Sequence, residues 1–150
     1  MNNRIFTLFL TCFLFASCQS ENFSEKLIGT WENTSLRIDI KLPDGRDSLM
    51  VVPEGDWEKV LGIKPIVSTF SADGTFKSEY FSLEGQPIGT ESGDWEVRKD
   101  SLYLIYAGSD NAYKMSFDGD RVRFIGMIDW GQGGKADDLY DGWQKRVKED

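Results

Sequence analysis

Hydrophobic and polar residues alternate with a period of two through much of the chain. In residues 36–42 every second residue is Leu or Ile, and the residues between them are Arg, Asp and Lys. This alternation is typical of a β-strand with one buried face. The turn sequence PDGR then leads into a second apolar run at residues 48–52, so we predict a β-hairpin.

The same arrangement recurs along the rest of the chain at short spacing. Each pair of predicted strands flanks a turn rich in Asp, Gly or Asn, residues that tolerate tight-turn geometry. The pairs are 65–70 with 75–81, 93–97 with 101–106, and 112–117 with 121–128, followed by a last strand at 140–147. About eight to ten short strands joined by hairpins predict an all-β fold, an antiparallel up-and-down meander that closes into a barrel and leaves no exposed sheet edge.

One segment, PEGDWEKVLG, carries a helical pattern instead. A proline followed by acidic residues suits the first turn of a helix, and Gly62 suits its end. We therefore predict one short helix near residues 54–61, with Trp57, Val60 and Leu61 on one face. It would cap a barrel end or cover a loop.

The first twenty residues form a separate unit. An almost unbroken apolar run extends from Ile5 to Ala16. It is too short to cross the roughly 30 Å of a bilayer core as a permanent helix. We interpret residues 1–17 as a secretory signal peptide.

The end of this run, Phe-Ala-Ser-Cys at residues 15–18, resembles the lipobox of bacterial lipoproteins, in which a lipidated cysteine becomes the first residue of the mature chain. The resemblance implies lipidation of Cys18 and a lipidated tether at residues 18–26. Gln19 stands where an Asp can signal retention in the inner membrane, so the resemblance implies anchoring in the outer membrane of a bacterial cell envelope. An ordinary cleaved signal, an uncleaved anchor and lipidation at Cys12 are the alternatives.

Charge and size narrow the range of partners. The 17 basic residues less Arg4 leave 16 against 25 acidic residues, a net charge of −9 after signal removal. A field of this sign disfavours nucleic acid, so none is expected as a partner. The residues after the tether, 27–150, suit one domain with a core of its own, and we expect a monomer.

Three segments occur in an order similar to that of the lipocalin-like lipoproteins abundant in Bacteroidetes. They are LIGTWEN at 27–33, STFSADGTF at 68–76 and SGDWEVRKDSLYL at 92–104. The resemblance covers most of residues 27–147 and implies a lipocalin-like barrel.

The resemblance also implies structural roles for three residues within the repeated Gly-x-Trp-Glu sequence. Gly29 would let backbones approach closely, Trp31 would fill the barrel floor, and Trp95 would take an inward position on its strand. The remaining copy, GDWE at 55–58, falls in the helical segment, and we interpret it as coincidence.

The residue types present exclude several kinds of catalysis. The chain contains no histidine, and a lipidated Cys18 leaves no free thiol, which removes Ser-His-Asp and Cys-His arrangements and imidazole metal sites. A carboxylate pair for glycoside cleavage remains open as an alternative. We expect a protein that is not an enzyme and that has no cofactor.

The segment DWGQGGKADDLYDG resembles a calcium-binding loop in part. Asp129 would be its first ligand and Asp137 its ninth, with Asp138 beside it, but glycines occupy the third and fifth positions and Tyr140 the twelfth. It is a weak calcium candidate, and the alternative is an acidic, Gly-rich loop before the last strand.

Aromatic residues are the remaining candidate for function. The candidates for lining a ligand pocket inside the barrel are Tyr103, Tyr106, Tyr113, Met115 and Phe117. The leading hypothesis is a membrane-anchored binding module for a small apolar or amphipathic ligand. Its rival is a non-enzymatic interaction protein with a filled barrel whose loops, particularly around Trp130, contact another envelope protein.

Overall fold

The computed structural model describes residues 22–131 and 133–148. It contains two short helices, α1 at Phe23–Leu27 and α2 at Trp57–Leu61. Its nine strands are β1 Gly29–Lys41, β2 Asp47–Val52, β3 Val67–Phe70, β4 Thr75–Phe81, β5 Pro87–Arg98, β6 Ser101–Tyr106, β7 Ser109–Asp118, β8 Arg121–Ile128 and β9 Asp138–Arg146. Every strand pairs antiparallel with its neighbours, which confirms the all-β meander.

The long strand β1 closes the sheet into a barrel. One edge of β1 pairs with β9 from Trp31 to Asp39, with a bulge between Asn33 and Ser35. The other edge pairs with β3 near its start and with β2 near its end. Eight strands thus form a closed antiparallel barrel, and β2 is an extra strand beside it.

One end of the barrel is filled by a hydrophobic core. Trp31 is 1% exposed and packs with Leu27 of α1, Phe70, Met115 and other buried residues. The indole Nε1 of Trp31 donates a hydrogen bond of 2.7 Å to the backbone oxygen of Leu27. Helix α1 therefore covers this end of the barrel, which we call the closed end.

A second hydrophobic cluster lies where β2 and α2 meet the latter half of β1. Leu36 and Ile38 of β1 pack with Val52 of β2 and Trp57 of α2. The sequence prediction of a helix near residues 54–61 is confirmed, although Val60 is 45% exposed and does not share the buried face of Trp57. The reason is the shortness of α2, whose five residues bury only a narrow stripe.

Helix α1 overlaps the segment that the sequence analysis assigned to a tether, residues 18–26, and ends at Leu27. The side chain of Asn22 accepts a hydrogen bond from Glu25 N and caps the helix. Leu27 is fully buried, so the folded part of the chain begins before residue 27. The signal peptide at residues 1–17 and the lipidation site at Cys18 lie outside the described residues.

Gly126 of β8 illustrates how closely two strands approach. A Cβ atom at this position would lie 2.3 Å from the backbone oxygen of Ala112 in β7. We expect Gly126→Ala to destabilise the protein by about 1–3 kcal/mol, since backbone atoms must move. Gly133→Ala is the control, because its Cβ would meet nothing within 4 Å. Equal urea midpoints for the two variants would contradict this interpretation.

Candidate functional site

The barrel contains a cavity of about 580 Å³ above its closed-end core. The cavity reaches the opposite end of the barrel, near the turn between β6 and β7 and the loop that precedes β9. Its size is within the range of about 300–1,000 Å³ that is usual for small-molecule sites. Its lining is part polar and part apolar. The interior is thus filled at the closed end and open above it.

Five polar side chains form a band along consecutive strands of the cavity wall. We call this set the polar band, and its members, from β9 through β1, β3 and β4 to β5, are Gln144, Asn33, Ser68, Ser78 and Glu91. Each of them is an inward residue of its strand, and the register aligns them: Gln144 is opposite Asn33, Ser68 opposite Ser78, and Ser78 opposite Glu91.

Hydrogen bonds hold parts of the polar band in place. Ser68 and Ser78 lie 2.8 Å apart through their hydroxyl oxygens. Gln144 Nε2 donates to Asn33 Oδ1 at 3.2 Å, and both residues are buried. Gln144 Oε1 is buried without a hydrogen-bond partner among the described residues.

Other strands supply apolar side chains. Leu102 and Leu104 of β6 and Phe124 and Ile128 of β8 line the cavity, and Phe70 of β3 lies next to the closed-end core. Strand β7, which lies between β6 and β8, adds the polar residues Ser109 and Asn111. A molecule in the cavity would therefore meet both hydrogen-bonding groups and hydrocarbon. This arrangement fits an amphipathic ligand better than a purely apolar one.

Four tyrosines also line the cavity, and burial raises the pKa of each of their hydroxyl groups above the ordinary value. Burial, the charge of Glu91 and a hydrogen bond to Glu91 raise the pKa of Tyr80. Burial, more than the charge of Glu91, also raises the pKa of Tyr106. Burial raises the pKa of Tyr113 and that of Tyr140, the latter to about 12. At neutral pH all four present neutral hydroxyl groups.

The loop between β8 and β9 forms part of the cavity mouth, and hydrogen bonds to Asp138 hold it in place. This carboxylate is 1% exposed and accepts hydrogen bonds from Lys41 N at 2.6 Å and Gly131 N at 2.9 Å. These backbone hydrogen bonds lower the pKa of Asp138. Trp130 lines the mouth and is 44% exposed.

The structure separates the five aromatic and sulfur side chains that the sequence analysis named as ligand candidates. Tyr106 and Tyr113 line the cavity. Met115 is buried in the closed-end core, and Phe117 packs against that core. Tyr103 does not line the cavity; it lies on the outer face, where the Arg98 guanidinium carbon is 4.7 Å from its ring centre. Tyr103 lies between Leu102 and Leu104, which both face inward, so its side chain must face outward.

The three residues predicted to be structural all lie at the closed end. Trp31 and Trp95 are buried in its core, and Trp95 Nε1 donates to the Ser71 backbone oxygen at 3.0 Å. Gly29 has a φ of +128°, and a Cβ there would collide with the Arg146 guanidinium. The polar band was missed because the sequence analysis looked for apolar pocket residues. The signal that could have found it is the alternation of inward and outward positions along each strand.

The carboxylates of the weak calcium candidate have separate partners. Asp129 Oδ2 accepts a hydrogen bond from Gly134 N at 2.9 Å, and Asp137 forms an ion pair with Lys135 at 3.0 Å. Asp138 binds backbone amides, as described above. Within residues 22–131 and 133–148, no three His, Cys, Asp or Glu side chains are grouped as metal ligands would be.

No helix within the described part of the chain has the length and apolar character needed to span a membrane. No protein-family model matches the chain, and no curated protein matches it. Among solved structures, a lipocalin-like protein from Bacteroides uniformis is similar at 12% identity and a TM-score of 0.48, covering 81% of this chain and 98% of that chain. A redesigned β-barrel is similar at 15% identity and a TM-score of 0.43, covering 83% and 95%.

Proposed function

We propose that this protein is a non-enzymatic binding module that holds a small amphipathic molecule inside its barrel. The observation that carries the proposal is the cavity of about 580 Å³, lined by the polar band on consecutive strands and by apolar side chains on β6 and β8. A barrel interior built only for stability would be filled by side chains, as the closed end of this one is.

We further propose that the barrel is fastened to the outer membrane by lipid on Cys18. The support is the lipobox-like sequence at residues 15–18 and the Gln at position 19. Several acyl chains on one cysteine would anchor the chain firmly. Mass spectrometry of the protein purified from its own membrane tests this proposal. A mature chain that begins at Cys18 and carries acyl mass is expected, and an unmodified Cys18 would contradict it.

Ligand binding can be tested with N-phenyl-1-naphthylamine, a neutral fluorophore whose emission rises when it leaves water. We expect saturable binding to the full chain at one site. Replacing Leu104, which lines the cavity, by Trp should weaken that binding by roughly tenfold, because the larger ring occupies part of the cavity.

The matched control is Ile105→Trp, which adds the same ring on the outer face of the same strand, at a residue that is 37% exposed. This variant should bind the fluorophore as the unmodified protein does. Equal binding by the two variants would show that the fluorophore sits outside the barrel. That result would favour the rival function, in which the mouth around Trp130 contacts another envelope protein.

A further inference from the structure

All the charged side chains that line the cavity have the same sign. Among the described residues, Glu91 and Asp129 line the cavity, and no lysine or arginine does. Asp129 already accepts the amide of Gly134. Both carboxylates are exposed, so they lie where the cavity opens to solvent. An anionic head group there would meet like charge, with no cation among the described lining residues to compensate. Carboxylate ligands such as fatty acids are therefore disfavoured.

Aromatic rings line the cavity on the two strands that flank Glu91, with Tyr80 on β4 and Tyr106 on β6. Tyr106 packs edge-on against Phe76 of the closed-end core, with ring centres 5.3 Å apart. Tyr113 and Tyr140 are similarly close, at 5.4 Å. Aromatic faces attract cations that come within about 6 Å, and the attraction grows where water is excluded.

Resting on the function proposed above, we propose that the cavity selects amphipathic molecules with a cationic, hydrogen-bond-donating head group, such as an alkylamine. Glu91 supplies the countercharge, the tyrosine rings surround the head group, and the side chains of β6 and β8 take the hydrocarbon. Tyr80 lies beside Glu91 on the neighbouring strand β4, two residues after Ser78, which is opposite Glu91.

The test is a series of probes with one tail and three head groups: decylamine, decanol and decanoate. Each is titrated against N-phenyl-1-naphthylamine bound to the full chain, at about 0.15 M salt to screen attraction to the acidic surface. Decylamine is expected to displace the fluorophore at a concentration at least roughly fivefold lower than decanol does, and decanoate should be the weakest.

Two variants assign this preference to the cavity. Glu91→Gln should reduce the preference for decylamine over decanol about fivefold, since it removes one charge and keeps the side-chain shape. Glu96→Gln is the control: it makes the same charge change on β5 at an outward residue that pairs with Arg98, and it should leave the preference unchanged.

The outcomes separate the two proposals. If decanoate binds as tightly as decylamine, or if Glu91→Gln and Glu96→Gln behave alike, the selection of cations is overturned while ligand binding stands. If none of the three probes displaces the fluorophore, or if Leu104→Trp changes no displacement curve, both proposals are overturned.

Discussion

Replacing Trp31 by alanine is expected to lower the free energy of unfolding by about 3–5 kcal/mol, the usual cost of removing a buried aromatic side chain. Trp31 is 1% exposed, and its ring lies among Leu27, Phe117 and Arg146. The Arg146 guanidinium carbon is 4.2 Å from the ring centre. The substitution therefore removes packing on both α1 and β9 and opens a void at the closed end.

The same substitution also removes a polar contact. The indole hydrogen bond to the Leu27 oxygen holds α1 on the barrel, and Arg146 Nη1 donates to the Ile28 oxygen at 2.9 Å beside it. For a domain of this size, the loss corresponds to a fall in melting temperature of about 10 °C or more. Trp130→Ala, at the exposed mouth, is the control and should shift it little. Unchanged melting of Trp31→Ala would show that this side chain does not support the core.

Replacing Asp138 by alanine is the second large effect that we expect, about 2–4 kcal/mol of lost stability at neutral pH. The change leaves the amides of Lys41 and Gly131 without their acceptor. Asp138→Asn keeps one carbonyl oxygen and should lose less. Asp137→Ala removes a neighbouring carboxylate that forms only a surface ion pair, so it should change stability by less than about 0.5 kcal/mol.

The stability that the Asp138 carboxylate contributes should decrease as the pH falls. Its pKa is lowered in the folded protein by the hydrogen bonds from Gly131 and Lys41, so the folded state favours the charged form. The stabilisation is present above the ordinary pKa of an aspartate, about 3.9, and is lost as the pH falls toward the lowered value. Urea unfolding of the unmodified protein and Asp138→Asn at pH 7 and pH 3 should therefore give curves that converge at the lower pH. A constant difference would contradict this account.

The barrel could be predicted from the sequence because its strands carry strong local signals. The segment 75–81 was predicted as a strand and forms β4 with the same bounds, since its alternation and its flanking turn are both clear. Hairpin connections then leave few topologies open. Helix α1 was not predicted, because its five residues contain only two apolar side chains. It is stabilised by packing of Leu27 against Trp31, which is a tertiary effect.

The cavity was harder to predict because its polar band depends on register. Asn33 and Gln144 are 111 residues apart in sequence and meet only when β1 and β9 close the barrel. The bulge between Asn33 and Ser35 changes which later residues of β1 face inward, and alternation alone does not reveal it. Tyr106 and Tyr113 were named correctly as inward residues, whereas Tyr103 was placed inside although its neighbours occupy the inner face.

The most direct test of the central claim, that the barrel interior is an accessible binding site, is a nuclear Overhauser measurement on the full chain with bound N-phenyl-1-naphthylamine. The account predicts contacts from the fluorophore to the rings of Tyr106 and Tyr113 and to the methyl groups of Leu104, all of which line the cavity. Contacts only to outward residues such as Tyr103 and Ile105, or no contacts at all, would contradict it.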